Sequence, residues 1–170
     1  VFLTGVTKFS QVSVFSGFNQ PKDISMFEKY EALCGITEEE LHTQFAEPIQ
    51  EMAESEGCTE EEVRQRLKRH YDGYHFSKAM TDIYNPFSVL NAFDSKEIRD
   101  YWFSSGTPTY LIRLMNHFHE GIDELTNKYY LPDEFINYKA DIEYPLPMIY
   151  QSGYFTIKGY DKDSNLFLLD

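Results

Sequence analysis

No glycine in the 170-residue chain is followed by lysine. The pattern G-x-x-x-x-G-K-[ST] is therefore missing, and with it the lysine-bearing glycine loop that grips phosphates at a helix start. Cysteine is scarce: Cys34 and Cys58 stand 24 residues apart, with no histidine at ligand spacing. That argues against a disulfide framework and against a zinc site. The remaining expectation is two reduced, largely buried thiols in a cytoplasmic protein. Bases are few, 15 against 28 acids, for a net charge of −13. A field of that sign repels nucleic acid and anionic lipid. No apolar run approaches the roughly 18 residues of a membrane span, and Trp102 is the single tryptophan.

What the chain has is apolar and aromatic mass: 42% hydrophobic residues, 13 tyrosines and 14 phenylalanines. That is enough for a core, with tyrosine hydroxyls left at its rim or at an interface. The chain opens on VFLTGVTKFS. Val1–Leu3 reads as a buried strand ending at the Thr4-Gly5 turn, and Val12, Val14 and Phe15 as a second short strand. A buried strand needs neighbours on both sides, and no βαβ series succeeds it. The expectation is a piece of a larger protein.

Beyond residue 20 the pattern is mainly helical. One helix is predicted from a cap at Asp23 or Ser25 through Met26, Phe27, Tyr30 and Leu33 to a stop near Gly35. Thr37 with Glu40, and Thr59 with Glu62, fit capping boxes. In the first of these helices Leu41, Phe45, Ile49 and Met52 share a face, and Pro48 must kink or split it. In the second, Val63, Leu67 and Tyr71 are inward, with Gly73 as the stop. Residues 28–62 carry twelve acids and only Lys29 as a base, whereas Arg64, Arg66, Lys68 and Arg69 come after them. Acids early and bases late suit the helix dipole. Asn85-Pro86 and Thr107-Pro108 each set a cap before proline at the first helical position. The first of these predicts an inner face of Phe87, Leu90 and Phe93 or Ala92, the second one of Leu111, Leu114, Met115 and Phe118. Residues 122–142 give no clear pattern. A short helix is expected after Pro145 and Pro147. The end reads as a hairpin, Tyr154–Lys158 and Leu166–Leu169 around a polar turn at Asp161–Asn165. The fold class predicted is mostly α with minor β, an α+β chain. It has a core-strand remnant at 1–20, a helical region at 21–120 and a winged-helix-like module at 121–170.

An ordered series of segments carries a further reading: FLTGVTKFS, SGFNQPKDIS, YDGYHFS (71–77), YNPFS (84–88), YWFSSGT (101–107) and YQSGYFTIK (150–158). The series resembles the AAA-ATPase-like family of bacterial proteins, common in gut and oral anaerobes, many of which carry a downstream domain of the restriction-endonuclease superfamily. The resemblance spans essentially the whole chain. It implies an AAA+-type or signal-transduction ATPase whose Walker A loop and Walker B acid precede the FLTGV strand. This chain departs from the family by lacking both, so ATP and Mg²⁺ would belong to the parent protein and this chain holds no cofactor itself. The implied partners are the missing P-loop segment and a possible nuclease-like domain of the same protein. A protein partner is compatible with this reading, DNA contact by the chain alone is disfavoured, and no membrane is involved.

On that resemblance Thr4, Thr7 and Lys8, just past the strand, are nucleotide-sensing candidates in the parent. Their plain alternative is an ordinary turn with a solvated lysine. Arg66 and Arg69 are lid-arginine candidates among the four cations of their helix, against a solvated face. Asp72, Tyr74 and His75 would form a lid turn, against a purely structural one. His117 and His119 do not share a helix face at i, i+4 spacing and read as surface groups. Asp133, Glu134, Asp141 and Glu143 read as solvated acids rather than an acid–base or metal pair. Three functions stand: a non-catalytic sensor, lid and winged-helix portion of an ATPase; a protein- or DNA-contacting winged-helix module; and an independent hydrolase with an acidic site. Paired carboxylates with displaced pKa values would favour the last.

Overall fold

Thr37 and Thr59 each open a helix by the same device, in a computed structural model that describes residues 22–101, 116, 122–136 and 144–170. Thr37 Oγ1 accepts from the Glu40 amide at 3.2 Å, and Glu40 Oε2 accepts from the Thr37 amide at 2.9 Å. Thr59 and Glu62 repeat the exchange at 3.2 and 2.8 Å. Each box satisfies amide donors that a helix start otherwise leaves orphaned. The architecture is α+β, and the chain divides into two compact units. One is Ser25–Gly106. The described residues of the other are 22–24, 116, 122–136 and 144–170. The strands expected within 1–20 and the helix expected after Thr107-Pro108 lie outside the described residues.

The helical unit starts with a single 3-10 turn, Glu28–Tyr30, whose N-cap is Phe27 and which buries no residue. This corrects the longer helix expected through Leu33, which is 56% exposed. There is no apolar face here to hold an α-helix against a core. Strand β1 (Ile36–Thr37) pairs antiparallel with β2 (Ile83–Tyr84), Ile36 opposite Tyr84 and Thr37 opposite Ile83. Helix α1 (Glu38–Gln44) and helix α2 (Ala46–Glu56) are separate, the split that Pro48 requires. A proline ring collides with the carbonyl four residues back, and that carbonyl belongs to Gln44, the last residue of α1. Proline itself then sits in the first turn of α2, where its missing N–H costs nothing.

Gly57, left-handed at φ 67°, closes α2, and helix α3 (Glu60–Tyr71) comes next. Helix α4 (Pro86–Ser95) begins as expected, with Asn85 Oδ1 accepting from the Ser88 amide at 3.0 Å. Its inner face is the expected one only in part, at Ala92 and Phe93. Ser88, Val89 and Ala92 are buried, whereas Phe87 and Leu90 are 48% and 52% exposed. Val89 and Ala92 belong to the core that α4 shares with α2 and α3. Phe93 is half-buried and stacks on Phe45, centroids 5.6 Å apart. Around these elements Leu41, Ile49, Met52, Val63, Leu67 and Tyr84 form a core with no exposure at all.

In the second unit, strand β3 (Lys128–Tyr130) precedes helix α5 (Pro132–Ile136), helix α6 (Leu146–Gln151), strand β4 (Ile157–Asp161) and strand β5 (Leu166–Leu169). The sheet order is β3-β5-β4, antiparallel throughout. The hairpin is where the sequence placed it, with pairing that begins at Ile157 rather than Tyr154 and slips by one residue between Ile157 and Gly159. Asp161 organises the turn: it accepts from the Asp163 amide at 3.0 Å and the Ser164 hydroxyl at 2.6 Å, bonds that hold its carboxyl below the usual range. Strand β3 is a finding without a sequence forecast. Phe135 joins the helices to the sheet, its ring 4.7 Å from Tyr150 and 5.8 Å from Phe167. Burial pushes the Tyr150 hydroxyl well above its ordinary pKa.

Among the described residues no helix is long and apolar enough to cross a membrane. Both cysteines are free, but Cys34 is exposed and Cys58 partly so. The expectation of largely buried thiols is corrected for Cys34, which comes after the short 3-10 turn and is exposed, whereas Cys58 packs half-buried against the core.

Candidate functional site

The last turn of α3 and the chain just beyond it gather several polar side chains with partners far along the chain. The backbone returns on itself here. Ile83 N–H donates to Tyr74 O at 3.1 Å, and Asn85 N–H donates to Tyr71 O at 2.9 Å. Asp72, extended at ψ 167°, ends the helix, and Gly73 at φ 104° makes the bend that a side chain would resist. The expected lid-turn residues are thereby brought together on one antiparallel stretch. Asp72 Oδ1 accepts from the Gly73 amide at 2.7 Å. Tyr74 bridges to Ile83, with its hydroxyl pushed up by burial. His75 Nε2 lies 2.7 Å from Asp82 Oδ1, the histidine nearly buried and the aspartate half-exposed.

Three residues that sequence reasoning missed complete the cluster: Glu38, Asp82 and Tyr84. Glu38, first residue of α1, is the hub. Its Oε2 accepts from the Tyr84 hydroxyl at 2.5 Å and from Lys68 Nζ at 3.3 Å, and its Oε1 lies 3.2 Å from His42 Nε2. Lys68 also reaches Asp72 Oδ2 at 3.8 Å. The two carboxylates that share Lys68 are shifted oppositely. Partial burial pushes Glu38 up, but the bonds from Tyr84, His42 and Lys68 together outweigh it and hold it below its ordinary value. Asp72, its side chain 3% exposed, is raised, because desolvation outweighs the Gly73 amide and Lys68, with Asp82 and Glu38 adding repulsion. Tyr84, buried and bonded to a carboxylate, is driven far up. Nothing in the sequence links Glu38 to a lysine thirty residues on, so no local signal could have found this hub.

The shifts make a paired forecast. Glu38, depressed in the fold, stabilises above the ordinary glutamate pKa of 4.5, and that contribution is lost as pH falls through the folded value. Asp72, raised, favours the fold below the ordinary 3.8 and loses that contribution as pH rises through its folded value, so ionised Asp72 is a net cost at neutral pH. Urea unfolding between about pH 3 and pH 8 should therefore show Glu38→Gln destabilising and Asp72→Asn neutral or stabilising at neutral pH. Each effect should be below about 1 kcal/mol and fade toward the acid end. Both variants losing stability at neutral pH would contradict the assignment.

Opposite shifts in neighbouring carboxylates are the pattern of an acid–base pair. Here both acids converge on Lys68, and neither lines the concavity of about 450 Å³ bounded by Met26, Phe27, Glu28, Lys29 and Lys78. Among the described residues no group of three or more His, Cys, Asp or Glu side chains is placed to hold a metal.

The cations of α3 differ in use. Arg64 pairs with Glu60 at 2.9 Å, Arg66 with Glu56, and Lys68 with Glu38. Glu56 holds the Arg66 guanidinium firmly charged. Arg69 is exposed and makes no ion pair among the described residues. Thr4, Thr7, Lys8, His117, His119, Asp141 and Glu143 lie outside the described residues. Asp133 and Glu134 are exposed at the start of α5, where Glu134 Oε2 accepts from the Leu131 amide at 2.6 Å, as a first-turn acid does.

No protein-family model matches the chain, and no solved structure matches it. Over 113 residues, 66% of the chain, it is 42% identical to the "Uncharacterized protein in vnfD 5'region" of Azotobacter chroococcum mcd 1. The match covers 20% of that protein, so the chain spans about a fifth of the length of the curated relative it matches.

Proposed function

We propose that the chain is the sensor, lid and winged-helix portion of a larger AAA-type ATPase, a regulatory and interaction module without hydrolysis of its own. The observation that carries the reading is the state of Arg69. A lid cation must be free to meet a phosphate when the lid closes, because one already paired loses an ion pair to do so. Arg66 and Arg64 are engaged with glutamates, and Arg69 has no ion-pair partner among the described residues. Arg69 is thus the better of the two lid candidates, and Asp72, Tyr74 and His75 are the turn that sets the angle of its helix. Thr4, Thr7 and Lys8 keep the sensing role. ATP and Mg²⁺ would be held by the phosphate loop and acids of the parent protein, since no Gly-Lys pair exists here.

Calorimetry of the full-length parent with ATP and Mg²⁺ tests this. The intact protein is expected to bind, and Arg69→Ala to bind roughly tenfold more weakly. No affinity in the intact protein ends the ATPase reading. Full affinity in the variant ends the lid role of Arg69.

A second reading has its own support. In the sheet-bearing unit Tyr129, Leu131 and Tyr144 are 53%, 48% and 43% exposed. Exposed tyrosine and leucine beside an acidic hairpin favour a protein partner over DNA. A gel shift at low salt should give no retardation of duplex DNA; clear retardation would reverse that preference.

A further inference from the structure

Past the bridge between Tyr74 and Ile83 the chain runs out and back through residues 75–82. His75 and Asp82 are the next pair along, and their side chains meet at 2.7 Å. A carboxylate only accepts, so His75 Nε2 carries the proton of that bond. His75 is nearly buried, whereas Asp82 is half-exposed and sits between Thr81 and Ile83. Ile83 fixes one side of Asp82, since its amide donates to Tyr74 O at 3.1 Å. The other side is fixed from far along the chain. Glu31 Oε1 accepts from the Thr81 hydroxyl, and Glu31 Oε2 accepts from the Ser77 hydroxyl. One carboxylate thus gathers both ends of the loop that separates His75 from Asp82.

Three features distinguish this clasp from a casual surface contact. Ser77 is wholly buried, and Glu31 is the acceptor of its hydroxyl proton, while its Oγ accepts from the Ala79 amide at 3.0 Å. A buried hydroxyl that loses such a partner carries the full cost of its desolvation. Met80, inside the loop, stands at φ 58°. Side chains disfavour that left-handed setting, and surrounding bonds must impose it. Glu31 also comes directly after the 3-10 turn Glu28–Tyr30, whose Glu28 pairs with Lys78 of the same loop at 3.5 Å. We propose that Glu31 is a positioning residue of the candidate site: by closing the Ser77–Thr81 loop it delivers the Asp82 carboxylate to His75. The turn after α3 is thereby set from the first turn of the helical unit as well as by its own backbone bridge. The inference goes beyond the lid reading and its test needs no nucleotide, so either can fail alone.

NMR of the His75 ring N–H, on the whole chain at neutral pH, reads the contact directly; His75→Gln identifies the signal by removing it. In the wild type Nε2 should be protonated and exchange slowly with water. Glu31→Ala should speed that exchange by at least about tenfold, while amides of α2 and α3 stay within about threefold of wild type. Glu31→Gln, whose side-chain oxygen and amide can serve the two hydroxyls, should bring it back to within about threefold of wild type. Lys78→Ala, which removes only the ion pair to Glu28, should leave it unchanged. Thr81→Val spares the buried Ser77 and should give an intermediate acceleration, which decides the matter if Glu31→Ala does not fold. An unprotonated Nε2 in the wild type, or a ring signal that Glu31→Ala or Thr81→Val leaves unchanged, would overturn the proposal. So would acceleration spread evenly over α2 and α3, a glutamine variant no better than alanine, or an equal effect of Lys78→Ala.

Discussion

Gly35→Ala should destabilise the helical unit by about 3 kcal/mol, at the upper end of what an overpacked core position costs. A Cβ built on Gly35 falls 1.9 Å from Ile83 Cγ2, and 3.5 Å from Tyr84 O. Ile83 is 1% exposed and paired in β2, so its methyl has no room to retreat. The cost is steric: Gly35 is not among the residues with positive φ, so alanine meets no backbone penalty there. The collision is with one named methyl, which gives the forecast a second handle. In Gly35→Ala combined with Ile83→Ala the obstructing atom is gone, and the pair should be less destabilised than the two single changes added together. Urea melts decide it. A shift below about 0.5 kcal/mol for Gly35→Ala would mean that the backbone at Gly35 does not approach Ile83 this closely.

Leu67→Ala should cost about 3–4 kcal/mol, against less than about 1 kcal/mol for Phe87→Ala. Leu67 is wholly buried in the core of the helical unit, on α3, which packs against α2 and α4. A packed core relaxes only partly around a lost side chain, so the vacated volume adds to the lost transfer energy. A unit of this size is stable by roughly 4–12 kcal/mol; a loss of that order leaves a substantial fraction unfolded at moderate temperature. Phe87 is the larger residue and, by helical spacing alone, the stronger core candidate. Its half-exposed ring leaves little to lose. Equal destabilisation by the two changes, measured by urea melts, would show that the inner face of α4 has been misplaced.

That contrast also marks where sequence reasoning reaches its limit. Thr37, Thr59 and Asn85 announce their helices because a cap and its partner lie within three residues, and the two capping boxes form as read. Asp161–Asn165 announces its turn for the same reason. The α4 inner face was legible only in part: Ala92 and Phe93 turn inward as read, but Ser88 and Val89 are buried where Phe87 and Leu90 were expected, a rotation of the helix that only its packing partners decide. Strands β1 and β2 have two residues each, and β3 three. Such pieces exist only through partners far along the chain, so no local pattern marks them. The candidate site divides in the same way. Asp72, Tyr74 and His75 stood out as a polar turn after a helix. Glu38, Asp82 and Tyr84 join them through folding, over separations that a linear reading does not see.

The slip in pairing between Ile157 and Gly159 sets how the hairpin is coiled. It leaves one extra residue, Lys158, on β4. A bulge of that kind bends its strand and deepens the local right-handed twist. Lys158 is exposed there, so the added residue carries its charge into solvent. Deleting it would straighten β4 and turn every side chain on one side of the deletion to the other face of the sheet, because alternation along a strand has a period of two.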